Sequence, residues 1–214
     1  MVSEPPADLG PGGAYIHIPF CSRRCTYCDF ATVAGRDDAV EPYLSALKQE
    51  IGSTQPGACE TIDTIFFGGG TPSRLSGRQL GDILTAVRSR FQVLPGAEIT
   101  LESNPEDLTP DRLACFQAAG INRLTVGVQS LDSKVLQDVG RGHDGRQALQ
   151  AVEQAREAGI DQVAVDLIAG LPGEDPRSWP GTLQRLTALA PDHFSVYLLE
   201  MDKDTPLTRS MDQG

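Results

Sequence analysis

The sequence predicts an α/β fold: an open or partial barrel of six strand–helix units, with parallel strands inside and helices outside. Three observations predict it. Short β-rich apolar runs alternate with longer helical stretches, the pattern of repeated βα units. Most of these runs are continuously apolar, as parallel strands are when both faces are covered. The third is length: 214 residues is short for a closed eight-stranded barrel, which usually takes about 250. A doubly wound sheet is the competing architecture.

The elements follow in order. Residues 1–13 are rich in Pro, Gly and acid, and read as a disordered segment without the features of a signal or transit peptide. Strands are expected at 14–19, 61–67, 97–103, 123–129, 162–169 and 193–199, each bounded by turn residues. Helices are expected at 39–51, 76–91, 109–119, 145–158 and 177–189. Thr109-Pro110 reads as an N-cap with a first-turn proline, and Gly120 and Gly159 stand where helices end. Residues 14–200 form one domain with no internal repeat or linker. Residues 201–214 are polar, carry no element pattern, show no terminal helix and read as the start of a missing C-terminal region.

Composition is that of an ordinary globular protein, 40% hydrophobic and 22% charged. A net charge of −11 argues against nucleic acid, which needs a basic face, and against docking on anionic membranes. No apolar stretch is long enough to span a bilayer. A cytoplasmic location is expected, where clustered cysteines bind metal more often than they pair.

The chemistry concentrates in Cys21-Ser22-Arg23-Arg24-Cys25-Thr26-Tyr27-Cys28. Three thiolates this close can hold three irons of a [4Fe–4S] cluster and leave the fourth iron open to a ligand. Zinc, with His17 or Asp29 as fourth ligand, is the alternative, although structural zinc sites usually draw on two knuckles. Cys59 and Cys115 lack neighbouring ligands and read as small buried or surface residues. Gly68-Gly69-Gly70-Thr71-Pro72 follows the second strand and completes neither a dinucleotide fingerprint nor a phosphate loop. Its meaning is exposed backbone at Gly69 and Gly70, open to a ligand or simply turning the chain. Glu102 to Pro105 follows the third strand, Gln129-Ser130 the fourth, and Asp166 lies in the fifth. All fall at carboxyl ends of strands, where parallel α/β folds place their sites. Glu102 and Asp166 are costly as unpaired carboxylates beside apolar residues. Arg141, in the turn Gly140-Arg141-Gly142-His143-Asp144, reads on its own as solvated, and His143 as a turn or cap residue. Tyr15, Phe20 and Tyr27 read as core or cluster-shielding aromatics.

The cysteine triplet after Tyr15-Ile16-His17-Ile18-Pro19-Phe20, then Gly-Gly-Gly-Thr-Pro, Glu102-Ser103-Asn104-Pro105 and Gly127-Val128-Gln129-Ser130, resembles the radical S-adenosylmethionine (SAM) superfamily. More narrowly, it resembles the oxygen-independent coproporphyrinogen III oxidase family. The resemblance runs from about residue 15 to 200 and implies a partial (β/α)6 TIM-type barrel. It implies a cluster on Cys21, Cys25 and Cys28 whose open iron chelates SAM, giving methionine and a 5′-deoxyadenosyl radical on reduction. It also implies a SAM site made by Tyr15, Tyr27, Gly69, Gly70, Thr71, Glu102, Gln129, Arg141 and Asp166. Arg141 would take the carboxylate and the two acids the ribose hydroxyls or ammonium.

The departure is at position 30. The oxidases carry a fourth cysteine two residues after the third; this chain has Cys28-Asp29-Phe30. That ending resembles the haem chaperone (HemW-like) branch, whose members bind haem as cargo and pass it to acceptor proteins. An electron donor such as a flavodoxin or ferredoxin is implied with it, and no catalytic residue is assigned. The rival is decarboxylation of coproporphyrinogen III to protoporphyrinogen IX in porphyrin biosynthesis.

Overall fold

The computed structural model describes residues 10–55, 60–201 and 204–211. Cys59, residues 1–9 and parts of the polar tail therefore lie outside the described residues. The strands are β1 (Gly12–Ile18), β2 (Phe20–Cys21), β3 (Val33–Ala34), β4 (Thr61–Gly69), β5 (Gln92–Ser103), β6 (Arg123–Gln129), β7 (Gln162–Ala169) and β8 (His193–Leu198). The helices are α1 (Val40–Ser53), α2 (Gly77–Arg90), α3 (Pro110–Ala119), α4 (Ser133–Asp138), α5 (Gly145–Glu157), α6 (Trp179–Thr187) and α7 (Pro206–Met211).

Six strands form one curled sheet in the order β1-β4-β5-β6-β7-β8, every neighbour pair parallel. The order never reverses, whereas a doubly wound sheet must reverse at its switch point. The fold is thus the partial barrel. β1 and β8 do not pair with each other, so the barrel stays open. β2 and β3 make a separate parallel pair that closes the cysteine loop.

One face of the sheet carries the core. Ile18, Phe67, Leu101, Leu124, Val126 and Val165 are buried there with Leu80, Leu84, Leu113 and Val152 of the helices. The other face differs from the expectation of strands buried apolar on both sides. Thr125, Gly127 and Gln129 alternate with Leu124, Val126 and Val128 along β6, and Asp166 stands between Val165 and Leu167 on β7. The continuous apolar look came from small residues and a few polar ones standing on the inner face. That face builds the site.

Local signals set most boundaries. Thr109 Oγ1 accepts from the Arg112 amide ahead of Pro110, and Gly120 ends α3 with φ 105° in the left-handed region that glycine tolerates. Three expectations change. β5 begins at Gln92, five residues earlier than the sequence suggests, because Pro95-Gly96 is absorbed as an irregularity in its pairing with β4 instead of starting a turn. α4, six residues long, was too short to show a period; Asp132 caps it by accepting from Lys134 N and Val135 N. The tail does form a helix, α7, after Thr205-Pro206, a start signal of the kind seen at α3.

Candidate functional site

At the carboxyl ends of the strands lies a cavity of about 390 Å3. That falls within the roughly 300–1,000 Å3 of small-molecule sites. One wall is the cysteine loop between β2 and β3, with Cys21, Cys25, Cys28 and Tyr27. The opposite wall is built by the ends of four consecutive strands: Gly69, Gly70 and Thr71 after β4, Glu102 on β5, Gln129 on β6 and Asp166 on β7. Arg141 closes the rim between them. Tyr15 is not among the lining residues: it is 60% exposed on β1, its ring stacked on Phe66 and its hydroxyl 3.3 Å from His17 Nδ1.

The cysteine loop is shaped by its backbone. Val33 N donates to Pro19 O (2.8 Å) and Gly35 N to Cys21 O (3.1 Å), pinning both ends. Inside the loop, Cys28 N donates to Cys25 O (3.2 Å), and Arg24 Nε and Nη2 both donate to Cys28 O at 3.2 and 3.1 Å. All three thiols are half-buried and free. Burial pushes the Cys21 and Cys28 thiols above their usual value, and the neighbouring sulfurs add to it. Three ionised sulfurs so close would need a cation among them. Among the described residues no three His, Cys, Asp or Glu side chains converge as ligands of a single metal ion. A cube of four irons is a different demand, since it spreads three thiolates over three irons. His17, the candidate zinc partner, instead has Nε2 3.0 Å from Ala31 O.

Opposite, the glycine loop presses on the first strand. Gly70 N donates to Ile18 O (2.8 Å) and Thr71 N to Phe20 O (2.9 Å). A Cβ at Gly70 would lie 2.6 Å from Pro19 O, so only glycine allows this approach. Gly69 N donates to Glu102 Oε2 at 3.0 Å. Burial still lifts the Glu102 carboxyl above its ordinary value, with the nearby Asp166 charge adding to it. Burial likewise lifts Asp166, opposed by the Ser195 hydroxyl. Gln129 adopts φ 65°, left-handed backbone that a non-glycine residue rarely takes.

Arg141 corrects the sequence reading of a solvated turn residue. Its Nη2 donates to Gly127 O (2.7 Å) and Asn104 Oδ1 (2.8 Å), and its Nη1 lies 3.7 Å from Cys25 Sγ. The short α4 carries it there: Thr26 N donates to Val139 O at 3.1 Å, tying the turn after α4 to the cysteine loop. His143, read as a cap, is buried against Glu106 and Val128. Asn104, part of the Glu102-Ser103-Asn104-Pro105 motif, lines the cavity, and so does Glu106, which was not singled out in the sequence; its position one residue beyond that motif was the available signal.

Residues 15–186 match the family model described as the radical SAM superfamily. The chain belongs to the radical SAM superfamily. Among curated proteins it is 38% identical to the bovine "Radical S-adenosyl methionine domain-containing protein 1, mitochondrial", over 98% of this chain and 48% of that protein. It is 38% identical to the "Heme chaperone HemW" of Escherichia coli, over 96% of this chain and 53% of that one. Among solved structures, the coproporphyrinogen III oxidase HemN of E. coli superposes with a TM-score of 0.83 at 33% identity, covering 95% of this chain and 46% of that chain. Within the superfamily these relatives put the chain in the HemN-like family, on its HemW branch. The chain spans about half the length of the relatives it matches.

Radical SAM membership implies a [4Fe–4S] cluster and SAM. The residues present fit both. Three of the four buried polar side-chain atoms without a partner among the described residues belong to the cavity: Gln129 Oε1, Arg141 Nε and Asp166 Oδ1. Buried groups left open toward a cavity call for a polar ligand. The wall facing them offers three thiols and a glycine backbone.

Proposed function

We propose that this chain is the radical SAM core of a haem chaperone. In this reading Cys21, Cys25 and Cys28 hold the cluster, the adjoining cavity takes SAM, and the whole protein binds haem and transfers it to acceptor proteins. The observation that carries it is Phe30. The side chain is 62% exposed at the mouth of the cavity, where the oxidases resembled by the sequence carry a fourth cysteine. The names of the HemW relatives point the same way.

When bound, the cluster supplies an electron to the sulfonium of SAM. The chain's own residues bind and orient. Arg141, its guanidinium fixed by Gly127 and Asn104, offers positive charge to the SAM carboxylate. Asp166, with one oxygen unpaired, and Glu102 accept from ribose hydroxyls or the ammonium. The backbone at Gly69 and Gly70 lies along the methionine end, and Tyr27 and Thr71 flank the cysteines. An electron donor such as a flavodoxin or ferredoxin, and a cytoplasmic setting, belong to the same proposal.

Two assays on the full-length protein under anaerobic conditions test it. Titration with haem followed by absorbance is expected to show stoichiometric binding. Incubation with reductant, SAM and coproporphyrinogen III is expected to yield no decarboxylated porphyrinogen. Absent haem binding together with decarboxylated product would reverse the assignment in favour of the oxidase.

A further inference from the structure

His143 lies two residues beyond Arg141 and is not among the residues lining the cavity. Its ring has no exposed surface. Nε2 lies 3.1 Å from Val128 O and Nδ1 lies 3.2 Å from Glu106 Oε2. A carbonyl oxygen only accepts, so Nε2 carries a hydrogen. The Glu106 carboxyl group faces the other nitrogen. The ring is thus held at both nitrogens, by a backbone carbonyl on one side and a carboxylate on the other.

What the ring touches gives the pair its meaning. Val128 O is the carbonyl preceding Gln129, a cavity-lining residue with left-handed backbone whose amide oxygen is buried without a partner. The same carbonyl accepts from Ser130 N at 2.8 Å, so the bend is held from two sides. Glu106 follows Asn104, which accepts from Arg141. The Glu106 carboxylate also packs on Gly142, where any Cβ would collide with it. His143 thus reaches β6 and the loop after β5, while its own turn holds Arg141 against Cys25.

We propose that the Glu106–His143 pair is a positioning device for the SAM site, fixing Gln129 in its unusual backbone conformation and Arg141 against the cysteine loop. Glu106 lines the cavity and His143 does not; through the pair, His143 sets where two binding groups point. Outer-shell partners of this kind commonly matter as much as the groups they orient. The inference rests on the SAM site proposed above.

The test uses the full-length protein carrying a reconstituted cluster. His143→Ala is expected to weaken SAM binding, measured by equilibrium dialysis, by roughly 10- to 100-fold. Iron content and far-ultraviolet circular dichroism should match the wild type. The paramagnetic resonance spectrum of the reduced cluster with SAM added should shift toward that of the SAM-free wild type. His143→Gln, which keeps a single donor, should fall between. Wild-type affinity and spectrum in His143→Ala would overturn the proposal. So would equal losses in the Ala and Gln variants that merely follow a lowered Tm. If His143→Ala does not fold, His143→Gln decides on the same two readouts. A wild-type protein that takes up neither cluster nor SAM removes the functional reading itself, and the pair's role with it.

Discussion

Asp166 shows at the scale of one residue how function is written into a stability cost. One of its oxygens is buried without a partner, and burial holds its carboxyl above the ordinary range. The unfolded chain gives up that proton in the usual carboxylate range, the folded chain only at higher pH. Between the two values the unfolded state binds fewer protons, so stability falls as pH rises, and the penalty persists at neutral pH. Asp166→Asn should therefore raise the Tm of the ligand-free protein at pH 7 by a few degrees, about 1 kcal/mol. The gain should vanish below about pH 3, where the carboxyl is protonated in both states. The same change should weaken SAM binding about tenfold or more, since a hydrogen bond to a charged group contributes about 1.5–3 kcal/mol. Calorimetry across pH and a SAM titration check this; a Tm gain independent of pH would contradict it.

Among the elements, the glycine loop and the helix caps make opposite uses of local chemistry. Gly70 is required by tertiary contact, its missing Cβ leaving room for Pro19 O. Gly70→Ala should cost about 1–3 kcal/mol as an overpacked contact, and should also reduce SAM affinity because the rim shifts away from the cysteine wall. Ser76 starts α2 with a capping box shared with Gln79. Ser76→Ala should cost about 1 kcal/mol with SAM affinity intact. Urea unfolding paired with SAM titration separates the two; affinity loss in both variants, in step with stability, would mean that the loop has no direct role. Six main strands and five long helices were legible because each is long enough to show its own apolar pattern, and three of the helices, α2, α3 and α5, carry side-chain caps. α4 was not, having six residues and no repeat. Yet α4 delivers Arg141 to Cys25, so the reading of Arg141 as solvated followed from missing that helix.

In the whole molecule, one layer of apolar side chains between sheet and helices supports everything at the rim. Phe67 is fully buried in it, two residues before Gly69. Phe67→Ala should lower stability by about 3–5 kcal/mol. Urea midpoints followed by circular dichroism and by cluster absorbance should move together, because one core holds both walls of the site. A cluster signal that keeps its wild-type midpoint would show the cysteine loop to be independently stable. The net charge of −11 and the lack, among the described residues, of any helix long and apolar enough to cross a membrane describe the rest of the surface.

The sequence by itself determined the number and kind of the main units and the residues able to carry chemistry. Apolar periods, caps and cysteine spacing are local, and local patterns survive in one dimension. The triplet Cys21, Cys25 and Cys28 was legible for that reason, as were Glu102, Gln129 and Asp166 at strand ends. Only the tertiary structure decided between partial barrel and doubly wound sheet, because the two share an element order and differ in which strands pair. Only it left Tyr15 outside the cavity, placed Arg141 beside Cys25, and joined His143 to Glu106 across 37 residues. Such contacts depend on loop paths closed by packing, and no spacing in the chain encodes them.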